Sequence, residues 1–373
     1  MAHLHTEVVV DSALRSALDE VIAEVVAPAA ASVDAEGRFP RASVDALAGA
    51  GFLGLLSTGT IGDAAEAVSA IATVCGSTAM VLTMHYAAVS VLDRFASDDI
   101  RDDIAAGRHL STLAFSEVGS RSHFWAPVGT AVRDGDVVHL NAQKSWVTSA
   151  GHADSYVWSS TPLAAEGPMT LWHVPAGAEG LEVVGAFDGL GLRGNSSAPM
   201  NAADVVPSAM LGADGAGLDL ALESVLPTFL VLNAAFSVGL MRAMIAAAGT
   251  HLGQARLEHL DQSLSEQPEQ RREYARLLTV VDGAGLFLDD TVSALATGRA
   301  DAMLRVLQAK AVAAEAASEV GDAVMALCGG SAFRKELGIE RRFRDSLAAR
   351  VMAPTTQALR DFVGRAAFGQ PLL

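Results

Sequence analysis

The spacing of hydrophobic residues predicts helices at both ends of the chain and strands between them. Over residues 11–110 apolar side chains recur at helical spacing, beginning after Asp11, which suits an N-cap, and Pro28 is expected to end the first helix. From residue 111 the pattern alternates, and Asp134–Gly135 is expected to form a tight hairpin turn. Helical patterns then return over 217–249, 252–264, 268–297, 301–328 and 338–366.

This order of elements indicates an α+β protein with several domains. We predict an N-terminal helical domain at 1–111, a middle β domain at 112–212 and a C-terminal helical bundle domain at 213–373.

The most apolar stretch of the chain, 225–249, is long enough to cross a membrane. Asn233, Ser237 and Arg242 interrupt it, and its flanks lack the basic residues that anchor a span. We therefore expect a helix buried at a junction between subunits, and no membrane span.

Composition and charge exclude several classes of function. Of the 373 residues, 51% are hydrophobic, and the formal net charge is −17. Nucleic acids and anionic membranes bind clusters of Lys and Arg, so neither is an expected partner. Cys75 and Cys328 lie far apart in apolar surroundings, and no spacing suits metal ligands, which predicts reduced, buried thiols and no metal. The first residues lack the pattern of a secretory signal, so we expect a cytoplasmic protein.

Trp146 and Thr148 stand two residues apart in NAQKSWVTSAGHADSY, residues 141–156. On a strand, residues i and i+2 point to the same face, so the indole and the hydroxyl are expected to face the same way. A planar ligand stacked on the indole, with a hydrogen bond at one edge, suits this pair. The dipeptide alone is explained more simply by an edge-strand Trp over the core beside an ordinary strand Thr.

Six segments, in this order, resemble motifs of the acyl-CoA dehydrogenase superfamily. FPRASVDALAGAGFLGLLS resembles the family's N-terminal helix pair, and AFSEVGSRS resembles its T-E-P-G-x-G-S loop. DGDVVHLNAQKSWVTSAGHADSYVW resembles its strand pair, which includes K-x-W-I-T. GLGLRGNSSAPM, ALCGGSAF and RRFRDSLAARVMAPTTQALRDFVGRAAFGQPL resemble its G-x-R-G-x-x-S turn, its L-G-G-x-G element and its closing helix. Together they cover almost the whole chain.

The resemblance implies a middle β-barrel, a C-terminal four-helix bundle and bound FAD. In such enzymes the Trp and Thr of K-x-W-x-T lie against the flavin, which makes Trp146 a packing wall and Thr148 a hydrogen-bond donor to the ring. A flavin needs an apolar sandwich and a few fixed polar contacts that tune its electron affinity. The other positions that match cofactor contacts are Ser116, Ser122 near the phosphates, Arg256 across a dimer interface, and Gly329 and Gly330 beside the adenosine of a neighbouring subunit's FAD.

The positions of the family's catalytic carboxylate hold apolar residues in this chain. A dehydrogenase of this class removes the α-proton of an acyl thioester with a carboxylate that reaches that proton. In most of the family this residue is a Glu of the closing helix, at the position of Ala353; in a minority it lies on the long helix, at the position of Phe229. His123 and His85 are candidate replacements. The competing interpretation of His123 is a surface-loop histidine. That of His85 is a core histidine bonded to a backbone carbonyl.

Three functions remain open at this stage. The first is a flavin-dependent dehydrogenation of an acyl thioester with an atypical base and an electron-transfer partner. The second is a flavin-dependent monooxygenase, a hydroxylase or an N- or S-oxidase, which takes reduced flavin, often FMN, from a reductase and acts on another small molecule. The third is a base-lacking subunit of a heteromeric acyl-CoA dehydrogenase. The resemblance implies an oligomer, a homotetramer or a hetero-oligomer.

Overall fold

The computed structural model describes residues 12–120 and 123–372, and its N-terminal part is helical. The 20-residue helix α6 is buried along nearly its whole length, and α5 begins with a capping box between Thr60 and Asp63. The helices are α1 Ser12–Val21, α2 Ala27–Glu36, α3 Arg41–Gly49, α4 Leu55–Thr58, α5 Ile61–Ala72, α6 Gly76–Phe95 and α7 Asp98–Ala105.

Pro28 does not end the first helix, so that prediction is wrong. A π-helical turn at Ile22–Val26 joins α1 to α2, and Pro28 lies in the first turn of α2. The π turn shifts the hydrogen-bond register by one residue, which lets the helix continue across a residue that cannot donate. The expected N-cap, Asp11, lies outside the described residues.

The middle part consists of two four-stranded sheets. One has the strand order β1-β4-β5-β8, with β1 and β4 parallel, and the other has the order β2-β3-β7-β6. The predicted hairpin joins β2 to β3, and Gly135 takes a φ of 59° in its two-residue loop. The strands are β1 Ser111–Ala114, β2 Thr130–Asp134, β3 Val137–Val147, β4 Ser155–Ser160, β5 Thr170–Pro175, β6 Leu181–Val183, β7 Ala198–Val205 and β8 Ala209–Leu211.

The C-terminal part is a helical bundle around one long helix, α9. A π turn at Ala221–Val225 joins the short α8 to α9, and α9, α10, α11 and α14 pack together as the bundle. The helices are α8 Gly217–Leu220, α9 Leu226–Gln254, α10 Pro268–Ala296, α11 Ala302–Cys328, α12 Ile339–Ser346, α13 Ala348–Val351 and α14 Thr356–Ala367. The α, β, α order and the fold class predicted from the sequence are confirmed; the domain boundaries stay a prediction.

The chain itself buries its most apolar helix. Within the described ranges, Gly217–Gln254 is the one helix long and apolar enough to cross a membrane, and 89% of its most apolar window is buried inside the protein. Its burial therefore does not require the subunit junction that the sequence analysis assumed.

Two predicted helices of the C-terminal part are wrong in detail. A helix over 252–264 was expected, but the chain leaves α9 after Gln254 and forms a small antiparallel hairpin of β9 (Arg256–Leu257) and β10 (Gln262–Ser263). This hairpin reverses direction at Asp261, whose φ is 51°. Aspartate is one of the residue types that tolerate a positive φ.

The second is the closing helix, which is broken into α12, α13 and α14. Pro354 lacks an N–H, and the residue before a proline avoids the helical region, so α13 stops at Val351. The chain becomes helical again at Thr356, where the hydroxyl of Thr355 accepts from the N–H of Ala358. Residues 352–354 of this break form part of the cavity wall described next.

Candidate active site

A cavity of about 880 Å³ lies between the middle sheets and the C-terminal bundle. The end of β3, the loop after β1 and the turn before β7 supply one side. The segment at the start of α9, α12 with α13, and residues 352–354 supply the other. A volume of this size lies in the range of cofactor and substrate sites.

Trp146 is held on the cavity wall by an irregular end of β3. The pairing of β3 with β7 shifts register between Lys144 and Val147, and Trp146 takes a φ of 56°, which is rare for a bulky residue. The indole is 69% exposed and meets the ring of Phe187 edge to face, with 6.4 Å between ring centroids. A large aromatic surface is thus left uncovered inside the cavity.

Thr148 lines the same cavity from just beyond the strand. Its hydroxyl lies 3.0 Å from the hydroxyl of Ser197, and the N–H of the next residue, Ser149, donates to the carbonyl of Asn195 at 2.9 Å. Trp146 and Thr148 therefore share a cavity, but strand alternation, the basis of the sequence prediction, does not place them there. The bulge re-aims the indole, and the turn before β7 fixes the threonine.

Ser116 lies opposite β3 in the loop after β1, and it also lines the cavity. Its carbonyl accepts from the N–H of Ser145 at 2.9 Å, and the N–H of Val118 donates to the carbonyl of Gln143 at 3.1 Å. The loop thus pairs with β3 like a short strand, which brings the predicted flavin positions 116, 146 and 148 to one wall.

A buried ion pair beneath this wall was missed by the sequence reasoning. Lys144 bonds the carboxylate of Glu117, and its ammonium also donates to the carbonyl of Ser159 at 2.7 Å. Glu117 accepts in addition from the N–H groups of Val128 and Gly129, at 2.6 and 2.8 Å. Burial lowers the pKa of Lys144 to about 8, although the charge of Glu117 acts in the opposite direction. A lysine at an inward position of an alternating strand was the signal that could have revealed the pair.

The helix α12 holds the turn before β7, which also lines the cavity. Buried Asp345 accepts from the N–H of Leu192 at 2.6 Å, and burial raises the pKa of its carboxyl to about 7. A Cβ on Gly191 would lie 2.4 Å from the carbonyl oxygen of Arg344, so this close approach needs a glycine.

The described lining contains no free base. Its ionisable members are Glu117 and Arg344. Glu117 is fully occupied by Lys144 and two N–H groups, and Arg344 pairs with Asp34 at 2.6 Å and Glu340 at 2.7 Å. Ala353 and Phe229, the positions that the resemblance assigns to the family's carboxylate, both line the cavity and present only apolar side chains.

Neither histidine proposed as a replacement base lies in the lining. His85 is fully buried, its Nε2 is 2.9 Å from the carbonyl of Leu53, and its Nδ1 accepts from the N–H of Ser111 at 3.0 Å. Both ring nitrogens are thus occupied, and burial lowers the pKa of His85 to about 4. His123 is exposed and packs beside Trp125, with 4.9 Å between ring centroids. The core and surface interpretations therefore hold for His85 and His123, respectively.

The remaining predicted cofactor positions lie away from this cavity. Arg256 is exposed and paired with Asp261, and Gly329 and Gly330 are exposed at the end of α11, where an added Cβ would meet nothing within 4 Å. Ser122 lies outside the described residues. The two glycines are open to an approaching molecule but do not face the chain's own cavity.

Sequence models of one family match most of this chain. The N-terminal domain of acyl-CoA dehydrogenase matches residues 11–107, the middle domain matches 112–205 and the C-terminal domain matches 215–368. The chain belongs to the acyl-CoA dehydrogenase family. It is accordingly an FAD-dependent oxidoreductase, as the resemblance implied.

Other members of the family are similar to this chain over most of their length. Cyclohex-1-ene-1-carbonyl-CoA dehydrogenase of Geobacter metallireducens is 27% identical, over 93% of this chain and 95% of that enzyme. The human mitochondrial short-chain specific acyl-CoA dehydrogenase is 26% identical, over 89% of this chain and 84% of the human protein. The structure of butyryl-CoA dehydrogenase from Megasphaera elsdenii superposes with a TM-score of 0.90 at 18% identity, over 97% of this chain and 100% of that one.

The residues that line this cavity fit the flavin that membership of the family implies. The exposed indole of Trp146 offers a flat apolar face, and the hydroxyl of Thr148 and the loop at Ser116 offer polar contacts at its edges. The opposite wall, with Phe229 and Met352, is apolar. A planar ring with a polar edge matches this combination.

Proposed function

We propose that the protein oxidises an acyl thioester with bound FAD, with a proton acceptor other than the family's usual carboxylate. One observation carries the proposal: Trp146 and Thr148 share the wall of a cavity whose opposite wall is apolar. When bound, the flavin supplies the hydride acceptor. The chain's own contribution is a slot that orients a planar ring against the indole and keeps water away from an apolar acyl chain.

The proton acceptor in this proposal comes from outside the described lining. Ala353 and Phe229 cannot take a proton, and Glu117 is held by Lys144 and two backbone N–H groups. Glu223, a nearby carboxylate on the turn before α9, has a side chain that is 62% exposed and pairs with Arg94. A neighbouring subunit or the substrate itself remains as the source.

The lack of a base in the lining also favours a second candidate, a flavin-dependent monooxygenase. In such an enzyme the reduced flavin activates oxygen, so no side chain has to remove an α-proton. The apolar wall at Phe229 and Ala353 would then shape the substrate pocket. FMN in place of FAD would accompany this function.

The spectrum of the purified full-length chain separates these functions. Bound oxidised FAD that bleaches when acyl-CoA is added without oxygen supports the dehydrogenase, and extraction identifies the cofactor as FAD or FMN. A colourless protein that takes up reduced FMN and consumes oxygen supports the monooxygenase. Bleaching that appears only after co-expression with a second family member shows a base-lacking subunit. No flavin uptake under any of these conditions refutes all three.

We infer that the active form is an oligomer, a tetramer with its cofactor sites shared between subunits. Exposed Gly329, Gly330 and Arg256 lie away from the chain's own cavity, which suits contacts to a neighbour's cofactor. Light scattering on the purified chain measures the assembly, and Gly330→Trp is expected to lower flavin content without filling the chain's own cavity. A flavin-loaded monomer would contradict this arrangement. An electron-transfer flavoprotein is the expected redox partner of the dehydrogenase.

A further inference from the structure

A buried lysine lies directly behind the cavity wall. Lys310, on α11, is 0% exposed, and its ammonium donates to the carbonyl of Met352 at 2.7 Å and to that of Pro354 at 2.6 Å. The ammonium also lies 5.7 Å from the ring centroid of Phe229. Met352, Pro354 and Phe229 line the cavity and Lys310 does not, so one layer of protein separates the charge from a bound ligand.

Lys310 has no carboxylate counter-ion among the residues that the structure describes. Within the described part of the chain no carboxylate forms an ion pair with it, and burial alone lowers the pKa of its amine to about 7. Buried charges in proteins are normally paired, because an isolated one is costly to desolvate. The surroundings are polar but neutral: Asn233 bonds the sulfur of Met352 through its amide nitrogen, while its side-chain oxygen and the hydroxyl of Thr356 are buried without partners.

The backbone transmits this charge towards the cavity. The Met352–Ala353 peptide is trans, so its N–H points away from its carbonyl, and that carbonyl points at Lys310. The N–H of Ala353 has no hydrogen-bond acceptor among the described residues. An ammonium bonded to the carbonyl end of a peptide polarises it, which strengthens the positive end on the other side. The small side chain of Ala353 leaves space in front of that end.

We propose that the Ala353 end of the cavity is a subsite for a carboxylate carried by the substrate, with Lys310 supplying the counter-charge from behind the wall. The substrate class is then an acyl compound with an additional anionic group. This deepens the proposed function and rests on it for its role in turnover, but the subsite can be tested by binding alone.

The test compares hexanoate with its neutral isostere hexanamide, by calorimetric titration of the full-length protein as purified. At pH 6 we expect hexanoate to bind roughly tenfold more tightly, since a charge acting across one layer of protein is weakly screened. Lys310→Met should remove this preference and leave the affinity for hexanamide unchanged. A preference that persists in Lys310→Met would assign the carboxylate to Arg344, the other cation at the cavity, and overturn the proposal. Equal affinity of the two ligands for the unmodified protein would also overturn it.

A second pair of variants keeps the test decisive if Lys310→Met does not fold. Lys310→Arg keeps its charge, so its preference for hexanoate should survive at pH 9, where that of the unmodified protein should be lost. Ala353→Glu fills the subsite with a carboxylate and should abolish the preference at both pH values. Other ionisable groups near the cavity, such as Lys144, Arg344 and Asp345, are present in every variant, so only the difference between the pH profiles of the proteins is interpreted. Identical pH profiles for Lys310→Arg and the unmodified protein would refute the role of Lys310.

The binding readout separates this inference from the proposed function. Loss of the hexanoate preference with normal bleaching on acyl-CoA would refute the subsite and leave the dehydrogenase. A hexanoate preference in a protein that acyl-CoA never bleaches would keep the subsite and refute the dehydrogenase.

Discussion

Glu117 and Lys144 form an ion pair in which neither side chain reaches solvent. Lys144→Met should destabilise the protein by roughly 3–5 kcal/mol, because it leaves the carboxylate of Glu117 buried without its partner. Flavin content should fall as well, since Glu117 ties the loop after β1 to Val128 and Gly129. Urea unfolding and the visible spectrum measure the two effects.

The double variant Glu117→Gln/Lys144→Met is the control for this prediction. It removes both charges and should recover part of the lost stability. If the single variant unfolds at the same urea concentration as the unmodified protein, the pair does not stabilise this loop.

Trp146→Ala should lower flavin occupancy and leave the free energy of unfolding nearly unchanged. The indole is 69% exposed, so its removal opens the cofactor slot without leaving a hole in the core. Absorbance at the flavin band relative to protein reports occupancy. Trp146→Phe, which keeps an aromatic face, should retain most of the flavin. Full occupancy in the alanine variant would show that the ring does not lie on this wall.

Ala353→Glu should create or increase acyl-CoA oxidation if the cavity accepts a thioester. The residue lines the cavity and stands at the position that the resemblance assigns to the family's carboxylate, so a glutamate there is expected to reach an α-proton. Anaerobic bleaching with butyryl-CoA measures the gain, and Ala353→Gln is the matched control without a base. Equal rates in the two variants would favour the monooxygenase.

Gly239→Ala should destabilise the bundle by about 1–3 kcal/mol, since the added methyl group is forced into backbone. A Cβ at Gly239, on α9, would lie 2.2 Å from the carbonyl oxygen of Ser69 on α5. Gly253 lies on the same helix, and a Cβ there would meet nothing within 4 Å. Gly253→Ala should therefore be neutral or stabilise the protein by up to about 1 kcal/mol. Thermal unfolding of the two variants provides the comparison, and equal melting temperatures would contradict the packing of α9 on α5.

Stability should fall as the pH drops below about 6.5, through buried histidines that resist protonation. Burial lowers the pKa of His85 and of His173 to about 4, whereas the unfolded chain takes up these protons near 6.5. Between about pH 4 and pH 6.5 the unfolded state binds more protons than the folded state. Each histidine therefore lowers the free energy of unfolding by up to about 1.4 kcal/mol for each pH unit of acidification, whereas above pH 6.5 its stabilising contribution is fully present. Urea unfolding at pH 7.5 and 5.0 measures the slope.

His173→Asn isolates one of these groups. The Nδ1 of His173 lies 2.5 Å from the hydroxyl of Ser208 and its Nε2 is buried without a partner, so protonation has no acceptor to stabilise it. The variant should lose part of the pH slope. An unchanged slope would assign the acid sensitivity to carboxylates.

Local pattern was sufficient for the hairpin at Gly135 and for the existence of the long helices, because both depend on interactions between near neighbours. It failed at Pro28 and over 252–264, where a π turn and a short hairpin replace the expected elements. Those outcomes depend on how the chain packs after each helix, which side-chain periodicity does not encode.

The residues of the candidate site were likewise only partly predictable from the sequence. The motifs located Trp146, Thr148 and Ser116, and the absence of a carboxylate at Ala353 and Phe229 could be read directly from the letters. Lys310 was not recognised, because a single lysine in an apolar helix gives no sign of its partner, and Lys144 was not, because its polar neighbours suggest a solvated side chain.

The sequence by itself determined the three-part order of elements and the family, since both follow from residue types at fixed separations. Only the tertiary structure decided that a bulge turns the indole of Trp146 into the cavity, and that the buried ammonium of Lys310 bonds the carbonyls of Met352 and Pro354. The burial of a side chain and its distance from residues far away in the sequence decide these charges and contacts. Burial and distance are both fixed only when the chain has packed.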